Sequence, residues 1–366
     1  MEYRTIKDVL LINVFKGELL YLTMSGEIFL GELLIEENAE ILAFLDSNEF
    51  LFFGKKGESL TFCKSILGES RTFSLNGFSP RFETLQEDRY LGLQYDLSDY
   101  STQVAKYNIK ERAIVKILFD NRDIKILFAD NEIAVLKDNQ KGPNEFTFYN
   151  HQTETTLWQF DSSELGIEKI SKIMGVFGEV LVAFGHKNTV EESYLSSIPD
   201  LPIFFGISLA NGSLLWQQDE VFLSGKNERD THCRISLPFL NNETGKVIIF
   251  EAGQYIEMDA LTGEICIWQN LHENPLSLNG LSMDPFFFDP CQVDESFIYF
   301  RTGIGESSRR AGVGVFDRKK QELVALEVLT DDSEKPVEMG PLKIQATKDK
   351  IYALDLKQTL HIFERE

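Results

Sequence analysis

Short apolar runs of four to seven residues recur along the whole chain, separated by turns rich in Gly, Asn, Asp and Lys. That texture predicts strands joined by hairpins. No long stretch sustains the 3.6-residue apolar period of a helix. The best helical candidate, 162–173, contains Gly166 and reads as a loop or a short helix at most. The runs fall into groups at 8–34, 41–63, 90–108, 124–158, 180–216, 246–268 and 297–326, with a closing strand–turn–strand unit at 350–363. Three hairpins, 146–158, 205–216 and 255–268, end in Trp158, Trp216 and Trp268, and a glutamine follows each tryptophan. A rare residue landing repeatedly at one place in a hairpin marks an internal repeat.

The repeat spacing predicts the architecture. The tryptophans lie 58 and 52 residues apart, and dividing 366 residues by seven gives about 52 per unit, within the range of propeller blades. The expected fold is therefore all-β, a single β-propeller over residues 1–366 with seven four-stranded blades, and eight blades as the runner-up. The closing unit supplies only two strands, which the N-terminal strands can complete to close the ring. Each tryptophan is expected on an outer strand, filling the gap to the adjacent blade with its indole N–H on a polar partner. Asn211-Gly212 and Thr262-Gly263 supply the positive φ of tight hairpins. Four residues separate Gly212 from Trp216 and five separate Gly263 from Trp268, so a bulge or longer turn is expected near 263–265 to absorb the change of strand phase.

The segments 258–268 and 207–216 resemble the hairpin of the PQQ-like repeat family of β-propellers: apolar, Asp, a short turn ending in Thr/Asn-Gly, then Trp. Residues 351–363 match more weakly, with Phe363 in place of tryptophan. The resemblance is specific over 146–270 and faint over 296–366, and before residue 120 it rests on strand rhythm alone. Quinone enzymes of that family carry a signal peptide, a calcium site and an adjacent cysteine pair. Cys63, Cys233, Cys266 and Cys291 contain no adjacent pair, so the resemblance implies the fold and no cofactor.

Charge narrows the function classes. Thirty-six basic and 58 acidic residues give a net charge of −22. Such a surface disfavours nucleic acid and anionic membranes, and permits a basic protein partner. Scattered cysteines and an N-terminus without a basic or long apolar region predict a reduced, cytoplasmic protein. No apolar run reaches the length of a membrane span.

No nucleophile elbow, zinc-binding pair, Walker loop or calcium loop occurs. The five histidines, His151, His186, His232, His272 and His361, share no metal-ligand spacing and read as structural or exposed. His232 and Cys233 are adjacent, and on a strand they would point to opposite faces. Candidate partner contacts are Lys226, Glu228, Arg229 and Asp230 in the polar segment 224–234, the aromatic run Phe286, Phe287 and Phe288 between two expected Asp-Pro turns, and the basic residues Arg301, Arg309 and Arg310. Against these stand plainer readings: an ordinary solvated loop, a buried aromatic plug, and a hairpin tip. No metal or other cofactor is expected. The leading function is a non-catalytic binding module that uses an acidic propeller surface to hold a basic protein, with an immunity or antitoxin-type protein as its concrete form. A hydrolase or lyase with a site at the central channel, and a structural scaffold of a larger assembly, are the alternatives.

Overall fold

The computed structural model describes residues 3–15, 17–37, 39–44, 50–54, 59–64, 69–74, 81–85, 90–96, 102–108, 113–121, 124–129, 132–137, 145–150, 153, 155–187, 201–219, 238–251, 253–271, 276–304, 310–331, 333–337, 343–347 and 349–364. Side chains are described outside 39–146 and a few further strand positions, Phe286 and Phe287 among the latter.

Among the described residues, the strands assemble into eight antiparallel sheets, seven of four strands and one of five. They span 9–36, 39–74, 81–121, 124–161, 167–218, 239–270 and 277–328, and the last joins 343–364 to Tyr3–Ile6. In the first seven, consecutive strands of the chain are neighbours in the sheet. The eighth takes its outer strand from the N-terminus: Tyr3 pairs with Phe363 and Ile6 with Leu360. The closing unit is thus completed as the sequence predicts. The count of seven is corrected to eight sheets, because that unit forms a sheet of its own. Tryptophan spacing misleads here: it includes the connecting segments 188–200 and 220–237, whereas the sheets 9–36 and 239–270 are much shorter than the average repeat. The segment 162–173 contributes one 3-10 turn, Ser162–Leu165, before the strand Ile167–Phe177 begins.

The chain divides into two compact units of four sheets each, 79–270 in one, and 1–78 with 271–366 in the other. Within 79–270 the leading strands Arg81–Leu85, Ile124–Ala129, Ile167–Phe177 and Phe239–Asn241 neighbour one another in turn. Sheets pack face to face through apolar clusters. Phe148 and Trp158 meet Leu181, Ile203 and Phe205 between sheets 124–161 and 167–218. Val182, Phe204 and Trp216 meet Val247, Ile256 and Met258 between sheets 167–218 and 239–270. In the other unit, Tyr299 and Val313 meet Ile344 and Ala353, while Leu354 and Ile362 meet Val9 and Leu19. Strands buried on both faces explain the uninterrupted apolar runs of the sequence.

All three tryptophans lie on the last strand of their sheets: Thr155–Asp161, Leu214–Gln218 and Ile265–Asn270. Trp158 and Trp216 are 7% and 8% exposed. The Trp158 indole N–H donates to the Leu209 carbonyl at 2.7 Å and that of Trp216 to the Ala260 carbonyl at 3.1 Å, both in the turn of the following sheet. Each ring lies on the glycine of that turn: a Cβ would come 2.7 Å from Trp158 at Gly212 and 2.5 Å from Trp216 at Gly263. Glycine is therefore required twice over, for the approach of the ring and for φ of +73° and +72°.

Trp268 breaks this pattern. A bulge precedes the tryptophan in every case, skipping Leu157, Leu215 and Cys266. It is therefore not peculiar to the third hairpin, and it sits at Cys266 rather than at 263–265. After the bulge, the next paired residue is Trp158 opposite Phe148, Trp216 opposite Gly206, and Ile267 opposite Glu257. Ile267 thus holds the packing position, and Trp268, one residue on, faces the other way. It is 50% exposed, with its indole N–H 3.3 Å from Gln254 Oε1.

Candidate interaction surface

The outer strands of three consecutive sheets in the 79–270 unit present matched positions to solvent. The skipped bulge residues form one row: Leu157, 44% exposed, Leu215, 50% exposed, and exposed Cys266. Two residues beyond each bulge lie Gln159, Gln217 and Trp268. Asp161 and Asn270 end their strands, and Asp219 directly follows the strand that ends at Gln218. Leu214 and Leu261 add further exposed apolar area. Trp268 therefore stands where the other two sheets carry glutamine. An exposed tryptophan is the residue type that anchors protein interfaces.

The electrostatics of the rim are one-sided. Among residues 147–270 with described side chains, the exposed or half-buried carboxylates are Asp161, Glu179, Asp219, Glu243, Asp259 and Glu264, and the basic residue is Lys246. Lys246 is occupied: its ammonium donates to Asp259 Oδ2 and to Cys266 Sγ, both at 3.1 Å. Burial alone would lower the Lys246 pKa, but these two hydrogen bonds raise it above the ordinary lysine value. The Asp161 carboxylate accepts from the Ser163 N–H, which holds it below the usual carboxylate range. Among the described side chains of 147–270, the exposed charge is therefore predominantly negative.

The residues picked out from sequence fall elsewhere. Lys226, Glu228, Arg229, Asp230 and Arg309 lie outside the described residues, as do His151, His232, Cys233 and His272. The run 284–290 forms part of the long strand Leu281–Val293, so the expected turns at its Asp-Pro pairs are corrected to register breaks beside Met283 and Pro290. Phe288 is 2% exposed and meets Phe300 edge-on, which withdraws it as a contact residue and supports the plug reading. Arg301 is tied to Asp289, with Nε 2.7 Å from Oδ2, and Arg310 is exposed at the start of the strand Arg310–Asp317. The strands Phe297–Ile304 and Arg310–Asp317 pair antiparallel, and the segment 305–309 between them lies outside the described residues. The rim was missed because its residues are single letters in three separate hairpins; the repeated Leu-Trp-Gln-x-x string was its only signal.

Candidate catalytic groups are engaged in structure. His361 is fully buried, with Nε2 3.0 Å from Asp355 Oδ2 and Nδ1 2.8 Å from the Tyr3 hydroxyl, which in turn donates to the Thr330 carbonyl at 2.6 Å. Nδ1, through Tyr3, ties the N-terminal strand to the last sheet, and Nε2 is held by Asp355 within that sheet. Burial pushes the Cys291 thiol up to about 11, which keeps it protonated and unreactive. Among the described residues, no three His, Cys, Asp or Glu side chains gather as metal ligands would.

Comparison with solved structures places this geometry. BamB from Moraxella catarrhalis superposes with a TM-score of 0.53 at 12% identity, over 100% of this chain and 98% of that one. The WD40 domain of SCAP from fission yeast gives 0.53 at 12% identity, over 99% and 98%. The fold is that of a β-propeller. The dihydro-heme d1 dehydrogenase NirN also matches, with a TM-score of 0.51 at 10% identity over 90% of this chain and 67% of its own. No family model and no curated protein matches the sequence. Identities this low establish the propeller and leave function to the site.

Proposed function

We propose that this propeller is a non-catalytic protein-binding module of the PQQ-like repeat type, and that the rim formed by Leu157, Leu215 and Trp268 holds a basic protein partner. The observation that carries the reading is Trp268, a half-exposed tryptophan on a strand where Ile267 takes the register position that Trp158 and Trp216 take in theirs. The described carboxylates of the unit favour a cationic surface, and the net charge of −22 would steer such a partner toward the chain. A cytoplasmic immunity or antitoxin-type role is the concrete form of this proposal, because a protein that only occludes needs no catalytic group.

Affinity capture from the native host, with the full chain as bait, tests the reading. The wild type should retain one basic protein at low salt and release it as salt rises. Trp268→Ala and Leu215→Asp should retain at most about a tenth as much, the loss expected for an interface anchor worth 1.4 kcal/mol or more. Equal retention by the variants would remove the rim from the interface.

A further inference from the structure

In the other unit, a cleft of about 270 Å3 opens between the Tyr3–Ile6 sheet and the sheet 9–36. Its apolar wall includes Tyr21 and Phe29, stacked with ring centroids 5.0 Å apart and 12° between planes, together with Tyr352. Its charged mouth holds Arg4, Glu18, Glu32 and Lys350.

Two features distinguish it from an ordinary gap between sheets. Tyr21 is only 7% exposed, yet among the described residues its hydroxyl has no hydrogen-bond partner. A buried hydroxyl left unpaired costs about 1–3 kcal/mol unless something satisfies it. Tyr21 lines the cleft, together with Arg4 and Glu32 at its mouth. The second feature is charge. Arg4 faces Glu32 at 3.7 Å and Lys350 faces Glu364 at 3.1 Å, which leaves Glu18 as the carboxylate of the mouth without an ion pair among the described residues. The uncompensated charge is negative, and it lines the same cleft as the stacked Tyr21 and Phe29 rings.

We propose that this cleft binds a single organic cation, a guanidinium or a primary ammonium, with Glu18 as its counter-ion, the Tyr21 hydroxyl as a hydrogen-bond acceptor, and the Tyr21 and Phe29 rings as a cation–π wall. Carboxylate and aromatic faces together are the chemistry that selects such a group over a metal ion or an anion. The volume fits one side chain or one small amine. The inference does not rest on the rim, whose residues belong to the other unit.

Ligand-observed NMR titration of the full chain tests it, with methylguanidinium, N-acetyl-arginine N-methylamide and acetate as probes. Both cations should bind and acetate should not. Tighter binding of the arginine amide assigns the site to a polypeptide side chain, and tighter binding of methylguanidinium assigns it to a free small cation. Glu18→Gln should weaken binding roughly tenfold or more, the worth of one charge-assisted contact. Tyr21→Phe should weaken it about threefold without lowering the melting temperature, because no protein partner loses a bond. Acetate binding as tightly as the cations, no binding of either cation, or an unchanged affinity in Glu18→Gln would each overturn the proposal.

Discussion

Replacing Trp216 and Trp268 separately with alanine should give very different losses of stability, although the two residues look equivalent in the sequence. A tryptophan of roughly 250 Å2 that is 8% exposed removes about 230 Å2 from water, worth about 5–6 kcal/mol at about 25 cal/mol per Å2 before alanine's own share is subtracted. Trp216→Ala also opens a cavity against Gly206 and Gly263 and leaves the Ala260 carbonyl without its donor. The expected cost is about 3–5 kcal/mol. Trp268, at 50% exposed, buries about half that area, and its removal opens no enclosed cavity. Its hydrogen bond to Gln254 is long and solvent-facing. The expected cost is about 1–1.5 kcal/mol. Urea unfolding followed by far-UV circular dichroism reads both variants on one scale, since loss of an indole would distort fluorescence. If Trp268→Ala shifts the midpoint as far as Trp216→Ala, the phase assignment at Cys266 is wrong.

Two further outcomes follow from the same geometry. Gly263→Ala should destabilise by about 2–4 kcal/mol, combining strain at φ +72° with overlap of the new Cβ on the Trp216 ring, and the double variant Gly263→Ala/Trp216→Ala should lose less than the sum of the single losses in a urea-melt cycle. Asp355→Asn should cost about 1–3 kcal/mol at pH 7. Burial alone would raise the Asp355 carboxyl, but hydrogen bonds from His361, Thr359 and Lys357 hold it below its ordinary value, so its contribution is full above about pH 4 and fades as pH falls through the lowered pKa. Thermal melts of both proteins should therefore converge between pH 7 and pH 3, and a constant gap would refute the assignment.

Much of the fold was legible because strands buried on both faces leave a strong local mark. The apolar groups at 124–158, 180–216 and 246–268 map onto sheets, and the two-strand remainder at 350–363 correctly called for an N-terminal strand. What failed depended on positions that no local pattern records. The number of sheets was obscured by the long segments between hairpins. The phase of Trp268 turned on which residue of its strand is skipped, a choice made by pairing with Gln254–Asp259. Phe288 was read as a possible contact because a three-phenylalanine run looks the same whether it faces solvent or Phe300. The cleft was invisible, since Arg4, Glu18, Tyr21 and Tyr352 come from strands at opposite ends of the chain.

The repeat also survives where its letters have changed. Asp259, Asp317 and Asp355 each accept backbone N–H groups in the turn before the last strand of a hairpin. Gly263 closes the first of these turns, while Gln321 and Gln358, with φ of +57° and +62°, take the left-handed position in the other two. A side chain there is strained, but it is affordable where no indole has to lie on the turn. In the sheet 277–328 the tryptophan position after the bulge is Ala325. Glycine and tryptophan are therefore kept or lost together, which is the behaviour of a packing pair. Trp268 does not obey that coupling. It sits one residue past the position that Trp158 and Trp216 hold, on a strand end exposed to water. Stability alone would place glutamine there, as at Gln159 and Gln217, so the large aromatic is better explained by a surface it meets than by the sheet that carries it.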